Sequence, residues 1–276
     1  MTSTRTGRWI RLAGTTNMRD LGGLPTTDGG RTVVGRVLRS DNLQTLTPED
    51  VRVLVEEIGL REVIDLRTTA EILLEGRGPL REVPEVVHRH FSLLPERGHH
   101  TDVFAVEEDE VPDLPEGWLE SVLPRSAPEH AHDEPPAVRS YLEYLHDRGE
   151  SVVGAVRAIA EAEDGASVVH CAAGKDRTGV VTALCLAVAG VPDEEIVADY
   201  AMTAEIIDAL VAKLAASPTY AEDMERRDVT RHTPRAETME RVLAVLDERY
   251  GGPAGWLREH GFGDAEQAVL RARLRD

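Results

Sequence analysis

The stretch that most constrains the fold runs from His170 to Gly179 and reads HCAAGKDRTG. The apolar run 166–169 before it predicts a strand, and the apolar run 180–188 after it predicts a helix. A tight loop between a strand and a helix turns its backbone N–H groups inward, and the helix N-terminus adds the positive end of its dipole. The sequence therefore predicts an anion site in this loop, suited to the size and charge of a phosphate.

Two residues of this loop predict its chemistry. Cys171 begins it, and Arg177 follows six positions later. A positive cradle favours the thiolate of Cys171, which is the nucleophilic form of the side chain. The guanidinium of Arg177 can donate two N–H bonds to the equatorial oxygens of a phosphate while charge redistributes. The spacing indicates a cysteine nucleophile beside an arginine that binds the transferred phosphoryl group.

The other loop residues suit the same role. Three small residues follow the cysteine and let the backbone curve closely around an anion. Lys175 adds a second cation, and Thr178 could cap the following helix or donate its hydroxyl to the cysteine sulfur. The predicted phosphate-binding residues are Ala172, Ala173, Gly174, Lys175, Arg177 and Thr178.

Two aspartates are candidates for the catalytic proton donor. Asp176 lies inside the anion site, where a carboxylate weakens binding unless it is neutral, paired or delivering a proton. Asp65 lies in the predicted parallel strand 63–66, near the edge where α/β folds place functional residues. We favour Asp176 as the acid and Asp65 next, although either could instead hold a neighbouring cation. Asp113 and Asp133 are further candidates in an acidic segment.

The ten-residue stretch resembles the signature loop of the cysteine-dependent protein tyrosine phosphatase superfamily: a cysteine, five residues, an arginine, then Ser or Thr. Its Gly-Lys-Asp-Arg-Thr-Gly ending is similar to that of the PtpB-type branch of bacterial and fungal tyrosine phosphatases. Segments 17–23, 38–40 and 64–67 resemble the same branch in order and spacing. The resemblance implies a phosphatase fold and a phosphocysteine intermediate at Cys171, with dual-specificity or phosphoinositide activity.

Other interpretations of the loop remain open. A free cysteine is most often a buried structural residue, and a sulfurtransferase also places its cysteine in a strand-to-helix loop. A catalytically weak reader of phosphorylated ligands would keep the arginine and turn nothing over. The presence of both Cys171 and Arg177 favours a phosphatase, whose substrate could be phosphotyrosine, phosphoserine or phosphothreonine, or a phosphoinositide. Cys185, on the following apolar helix, fits packing better than a resolving thiol.

Composition excludes several other classes of protein. Acidic residues number 50 and basic residues 31, and a net charge of −19 disfavours nucleic acid and anionic membranes as partners. Only two cysteines occur, so no disulfide framework is implied. No apolar run reaches transmembrane length and the first twenty residues lack a signal-peptide core, so we expect a cytoplasmic location, with signal-less export left open. We expect no metal or other cofactor, because the cradle itself supplies the positive charge.

The patterning predicts an α/β fold with a central parallel or mixed sheet of four to five strands flanked by helices. A helix start at Thr47–Asp50, a strand over 86–91 and a mostly helical second half belong to this prediction. We expect one phosphatase domain over residues 1–276. Residues 95–136 are rich in Pro, Asp, Glu and His and predict an acidic insertion or lid loop within that domain.

Overall fold

The computed structural model describes residues 5–96, 125–217, 219–221 and 233–275. Its strands form one mixed sheet in the order β1-β2-β3-β4-β7-β5-β6. The last four in that order are parallel, and β1 to β3 continue the sheet as antiparallel strands. The strands are β1 (Arg5–Thr6), β2 (Trp9–Ile10), β3 (Arg19–Asp20), β4 (Val37–Ser40), β5 (Leu60–Asp65), β6 (Val87–His90) and β7 (Ala166–His170).

Helices cover both faces of this sheet. After β7, every described element of regular secondary structure is helical, as the sequence predicts for the second half of the chain. The helices are α1 (Pro48–Arg52), α2 (Thr69–Glu75), α3 (Pro136–Asp147), α4 (Gly149–Glu161), α5 (Asp176–Val188), α6 (Asp193–Ala201), α7 (Ile207–Ala215), α8 (Ala236–Tyr250), α9 (Pro253–Glu259) and α10 (Asp264–Leu274). A π-helical turn at Val53–Ile58 and 3-10 turns at Pro79–Glu82, Glu129–Ala131 and Met202–Ile206 complete the set of described helical elements.

The central strand β7 is buried on both faces, which explains its continuous apolar run. Val169 belongs to a large core formed with α3, α4, α5 and α8 to α10. Val168 belongs to a smaller core that includes Leu54, in the turn after α1. The chain leaves β4 towards the smaller core and leaves β7 towards the larger one. The loop after β7 therefore opens at a topological switch point, where α/β sheets bind their ligands.

Most local predictions are confirmed. Thr47 caps α1 through a capping box with Asp50, as the helix start at Thr47–Asp50 predicts. The α/β class with a mixed sheet is also confirmed; the sheet is wider than four to five strands because three two-residue strands extend it.

Most of the predicted insertion 95–136 cannot be compared with the structure, because residues 97–124 lie outside the described residues.

None of the helices in the described ranges is both long and apolar enough to cross a membrane.

Candidate active site

The loop after β7 surrounds the sulfur of Cys171. This side chain is 2% exposed, and its Sγ accepts the N–H of Gly174 at 3.2 Å. Gly174 has φ +64, and a Cβ there would lie 2.3 Å from the carbonyl oxygen of Ser40. Only glycine fits this close turn of the backbone, so the prediction that small residues let the loop curve is confirmed at Gly174.

Arg177 stands in the first turn of α5 and is fixed by Glu71. Its Nη1 and Nη2 donate to the two carboxylate oxygens of Glu71 at 2.6 and 2.7 Å. Burial opposes the charge of Arg177, but the Glu71 carboxylate outweighs it and holds the arginine's pKa well above its usual range. Glu71 also accepts the backbone N–H of Thr68, in the capping box of α2. The sequence pattern Thr-x-x-Glu at residues 68–71 predicts a helix start, but it does not predict that Glu71 pairs with Arg177.

Thr178 does not cap the helix. Lys175 occupies the N-cap position of α5, so Thr178 is the third helical residue and its predicted capping role is wrong. Its hydroxyl is buried, and no partner for it stands among the described residues. The second predicted role of this hydroxyl, donation towards the cysteine sulfur, stays a prediction.

Asp176 is the first residue of α5 and lies between a tyrosine and a lysine. The hydroxyl of Tyr141 donates to its Oδ1 at 2.5 Å, and Lys175 Nζ stands 3.5 Å from the same oxygen. The Asp176 side chain remains 35% exposed. It is thus both oriented by neighbours and open to solvent, which is what a proton donor to a bound substrate requires.

Asp65 stands in a different environment. It ends β5, accepts from Nε and Nη2 of Arg67 at 2.9 and 2.6 Å, and lies 3.6 Å from Nε2 of His170. Burial raises its pKa, but the charge of Arg67 and its hydrogen bonds outweigh burial and hold that pKa well below the usual range. This environment disfavours the protonated form that a general acid needs.

The N-terminal segment supports the outside of the loop. Asn17 Nδ2 donates to the carbonyl oxygens of Ala173 and Gly174 at 2.9 and 3.2 Å. Arg39 Nη2 donates to the Gly174 oxygen as well, at 2.7 Å. These contacts hold the loop carbonyls from the side of β3 and β4, so this segment buttresses the wall of the site.

A buried carboxylate holds this support together. Asp199 of α6 is 1% exposed and contacts Arg8, Arg19 and Arg39 at 2.6, 3.2 and 2.6 Å. Burial, followed by the charge of Arg39, lowers the pKa of Arg19 to about 9. Asp199 is a functional residue that sequence patterns do not predict; its one signal is that an acid lies next to apolar residues of a helix.

The histidines near the loop contact backbone carbonyl oxygens. His170 is fully buried, its Nδ1 lies 3.3 Å from the Cys171 carbonyl, and burial lowers its pKa to about 4. His88 and His90 are half-buried, and their Nε2 atoms lie 3.2 and 2.7 Å from the carbonyl oxygens of Leu80 and Arg67. Within the described ranges, no group of three or more His, Cys, Asp or Glu side chains could hold a metal ion.

Comparison with known proteins agrees with this geometry. The profile of the tyrosine phosphatase family matches residues 10–276. The chain belongs to this family. The chain is 34% identical over 140 residues to a tyrosine-protein phosphatase of Nostoc commune, which covers 49% of this chain and 48% of that protein. It is 27% identical to the triple specificity protein phosphatase PtpB of Mycobacterium tuberculosis over 95% of this chain and 98% of that protein.

These matches confirm the predicted family and, with it, the predicted class of enzyme. The chain spans about half the length of the Nostoc protein and nearly the whole length of the mycobacterial one. The family match begins at residue 10 and therefore includes the N-terminal segment that supports the loop.

Replacing the buried carboxylate tests the support of the loop. Asp199→Asn would leave Arg19 and Arg39 buried with no opposing charge, so we expect the free energy of unfolding to fall by about 3–5 kcal/mol. Urea unfolding of the variant and the wild type measures this change in the free energy of unfolding. The matched control is Asp264→Asn, which removes an exposed partner of Arg258 and should change stability by less than about 1 kcal/mol. Equal stability of Asp199→Asn and the wild type would contradict the role assigned to this cluster.

The neutral His170 should make stability depend on pH. The unfolded chain protonates this histidine near pH 6.5 and the folded chain only near pH 4. The unfolded state therefore binds more protons between these values, and the free energy of unfolding should fall as the pH drops through this window, by up to about 3 kcal/mol. His170→Gln should remove this part of the loss, whereas exposed His146→Gln should retain it. Parallel pH dependence in the wild type and His170→Gln would exclude the effect.

Proposed function

We propose that the chain hydrolyses phosphomonoesters through a phosphocysteine intermediate at Cys171. The observation that carries this proposal is the joint placement of Cys171 Sγ and the Arg177 guanidinium at one loop. The N–H of Gly174 points at the sulfur, and Glu71 fixes the arginine beside it. Backbone donors, the α5 N-terminus and a guanidinium together provide the positive cradle that a transferring phosphoryl group needs.

The first step forms the intermediate. The thiolate of Cys171 attacks phosphorus in line, an S–P bond forms, and the bond from phosphorus to the leaving oxygen breaks. The loop amides and Arg177 bind the three equatorial oxygens, and a carboxylic acid gives its proton to the leaving oxygen. In the second step water attacks phosphorus, the same carboxylate accepts its proton, and the S–P bond breaks to restore the thiolate.

Asp176 is the proposed proton donor. Its carboxyl is partly exposed at the start of α5, one residue before Arg177. The ion pair with Arg67 instead keeps Asp65 charged, which favours a structural role for Asp65 beneath the loop. The two aspartates thus have environments that separate their roles.

Phosphotyrosyl protein is the proposed substrate. An apolar cluster lies against the loop, where Leu210 and Leu214 of α7, together with Tyr220 beyond that helix, pack with Ala172. An apolar wall beside an anion site suits the aryl group of phosphotyrosine. The relative PtpB is named a triple specificity protein phosphatase, which makes phosphoserine and phosphothreonine further candidates. A phosphoinositide is the alternative substrate, favoured by the second cation, Lys175.

A panel of phosphopeptides and phosphoinositides would separate these substrate classes.

The same proposal includes three further statements: residues 1–276 form a single domain, the protein is cytoplasmic, and its activity needs no metal. Cell fractionation tests the location.

Replacing the nucleophile tests the covalent mechanism. In Cys171→Ser, turnover of an aryl phosphate should fall by on the order of 10³-fold or more, because the hydroxyl is a far weaker nucleophile at neutral pH. Inorganic phosphate should still bind, since the loop amides and Arg177 remain. Cys185→Ser is the matched control: Cys185 is buried in α5 and burial raises its thiol pKa to about 12, so it should keep wild-type activity.

Activity of Cys171→Ser within tenfold of the wild type would contradict the thiolate mechanism. A wild-type protein that binds phosphopeptides and turns none of them over would instead indicate a reader of phosphorylated ligands.

Graded leaving groups test the proton donor. Loss of the acid slows a poor leaving group far more than an activated aryl phosphate, because only the former needs its proton in the transition state. Asp176→Asn should therefore steepen the dependence of kcat on leaving-group pKa and remove the basic limb of the pH profile. Asp65→Asn should leave that dependence unchanged. Unchanged slopes in both variants would place the acid elsewhere, with Asp133 and Asp113 the next residues to replace.

A further inference from the structure

Two buried tyrosines form a hydrogen-bonded chain that ends on Asp176. The Tyr141 hydroxyl donates to Asp176 Oδ1 at 2.5 Å and lies 2.7 Å from the Tyr200 hydroxyl. Because Tyr141 uses its single proton on the carboxylate, Tyr200 must donate to Tyr141. The order of donation is therefore Tyr200 to Tyr141 to Asp176, and it joins α6, α3 and α5.

This arrangement is held by packing. Tyr141 and Tyr200 are each 2% exposed, and their rings meet edge to face at 6.2 Å. A Cβ at Gly179 would lie 3.1 Å from Cδ2 of Tyr200, so the last glycine of the HCAAGKDRTG stretch makes room for that ring. The Tyr144 ring also stacks on Tyr141, with the two ring centroids 5.9 Å apart. The hydroxyl of Tyr141 consequently has one fixed direction, towards Asp176.

Both hydroxyls keep their protons at working pH. Burial first, and then the charge of Asp176, raises the pKa of Tyr141 well above its usual value and raises that of Tyr200 too. Tyr141 thus stays a donor over the whole range in which the enzyme would act. A permanent donor on one carboxyl oxygen leaves the other oxygen to carry an exchangeable proton.

We propose that Tyr141 is a positioning residue for the proton donor, and this inference rests on the proposed role of Asp176 as that donor. Tyr141 fixes Oδ1, so that the proton of the neutral carboxyl sits on Oδ2. No hydrogen-bond partner for Oδ2 stands among the described residues, and the side chain remains partly exposed. Tyr200 acts through Tyr141 and has a smaller effect.

Other charged and titratable groups also face this carboxyl. Lys175 stands 3.5 Å from Oδ1 in the loop, and Arg177 is the next residue of α5. The charge of Asp176 also acts on Tyr144 of α3. The test must therefore separate the hydroxyl of Tyr141 from the general electrostatics of the site.

The test is Tyr141→Phe, which removes one hydroxyl and keeps the ring. We expect kcat for alkyl or weakly activated aryl phosphates to fall roughly tenfold, a part of the full effect of an acid catalyst, with little change for an activated aryl phosphate. KM should stay within about twofold, because phosphate contacts are retained.

Two further tyrosine variants serve as comparison. Tyr200→Phe should show the same changes in weaker form. Tyr250→Phe, at the end of α8 beside His260, removes a hydroxyl remote from the loop and should match the wild type. Thermal unfolding of each variant establishes that the fold is kept.

A double variant separates failure of this inference from failure of the proposed function. If Tyr141 acts through Asp176, Tyr141→Phe should add no further change in the Asp176→Asn background. A steepened leaving-group dependence in Asp176→Asn with none in Tyr141→Phe would overturn the inference and keep the proposed function. Equal slowing of good and poor leaving groups in Tyr141→Phe would also overturn it. An unchanged dependence in Asp176→Asn would overturn the proposed acid and this inference with it.

Discussion

The geometry of the site depends on one buried carboxylate, that of Asp199, among three guanidinium groups. Arg19 and Arg39 lie on neighbouring strands and are as buried as the apolar core around them. Two such charges destabilise the fold unless an opposing charge meets them there, and an aspartate on α6 supplies it. Arg39 then reaches the carbonyl of Gly174. The cluster therefore joins the N-terminal strands, helix α6 and the loop after β7.

A second buried ion pair acts on the opposite side of the loop. Glu71 neutralises Arg177 and fixes its plane, so that the guanidinium is already oriented within the folded site. The protein as a whole carries a net charge of −19, which repels anions at a distance. Attraction of a phosphate must then come from the loop itself, at short range. Neutral His170 under the loop adds no charge to this balance at pH 7.

The loop, its flanking strand and helix, and the caps were predictable because each depends on neighbours in sequence. The Thr47 cap and the Cys171-to-Arg177 spacing are examples. Asp199 and Glu71 were not, because their roles arise only when segments more than a hundred residues apart meet. Judged by its sequence neighbours alone, Asp199 is an acidic residue of a helix, and Glu71 is one member of a capping box. The prediction that Thr178 caps α5 was wrong for a local reason. A cap at Thr178 would require the helix to begin at residue 179, whereas α5 begins at Asp176 with Lys175 as its N-cap.

The position of the proposed acid has a chemical consequence. Asp176 is part of the same loop that we propose binds phosphate. The proposed acid therefore belongs to the same loop as the proposed nucleophile. The Tyr141 hydroxyl and Lys175 both contact its Oδ1, and Lys175 is itself part of the loop. In this arrangement the carboxyl is in place as soon as the loop is folded, a task that a mobile loop would otherwise perform by carrying a carboxyl into the site.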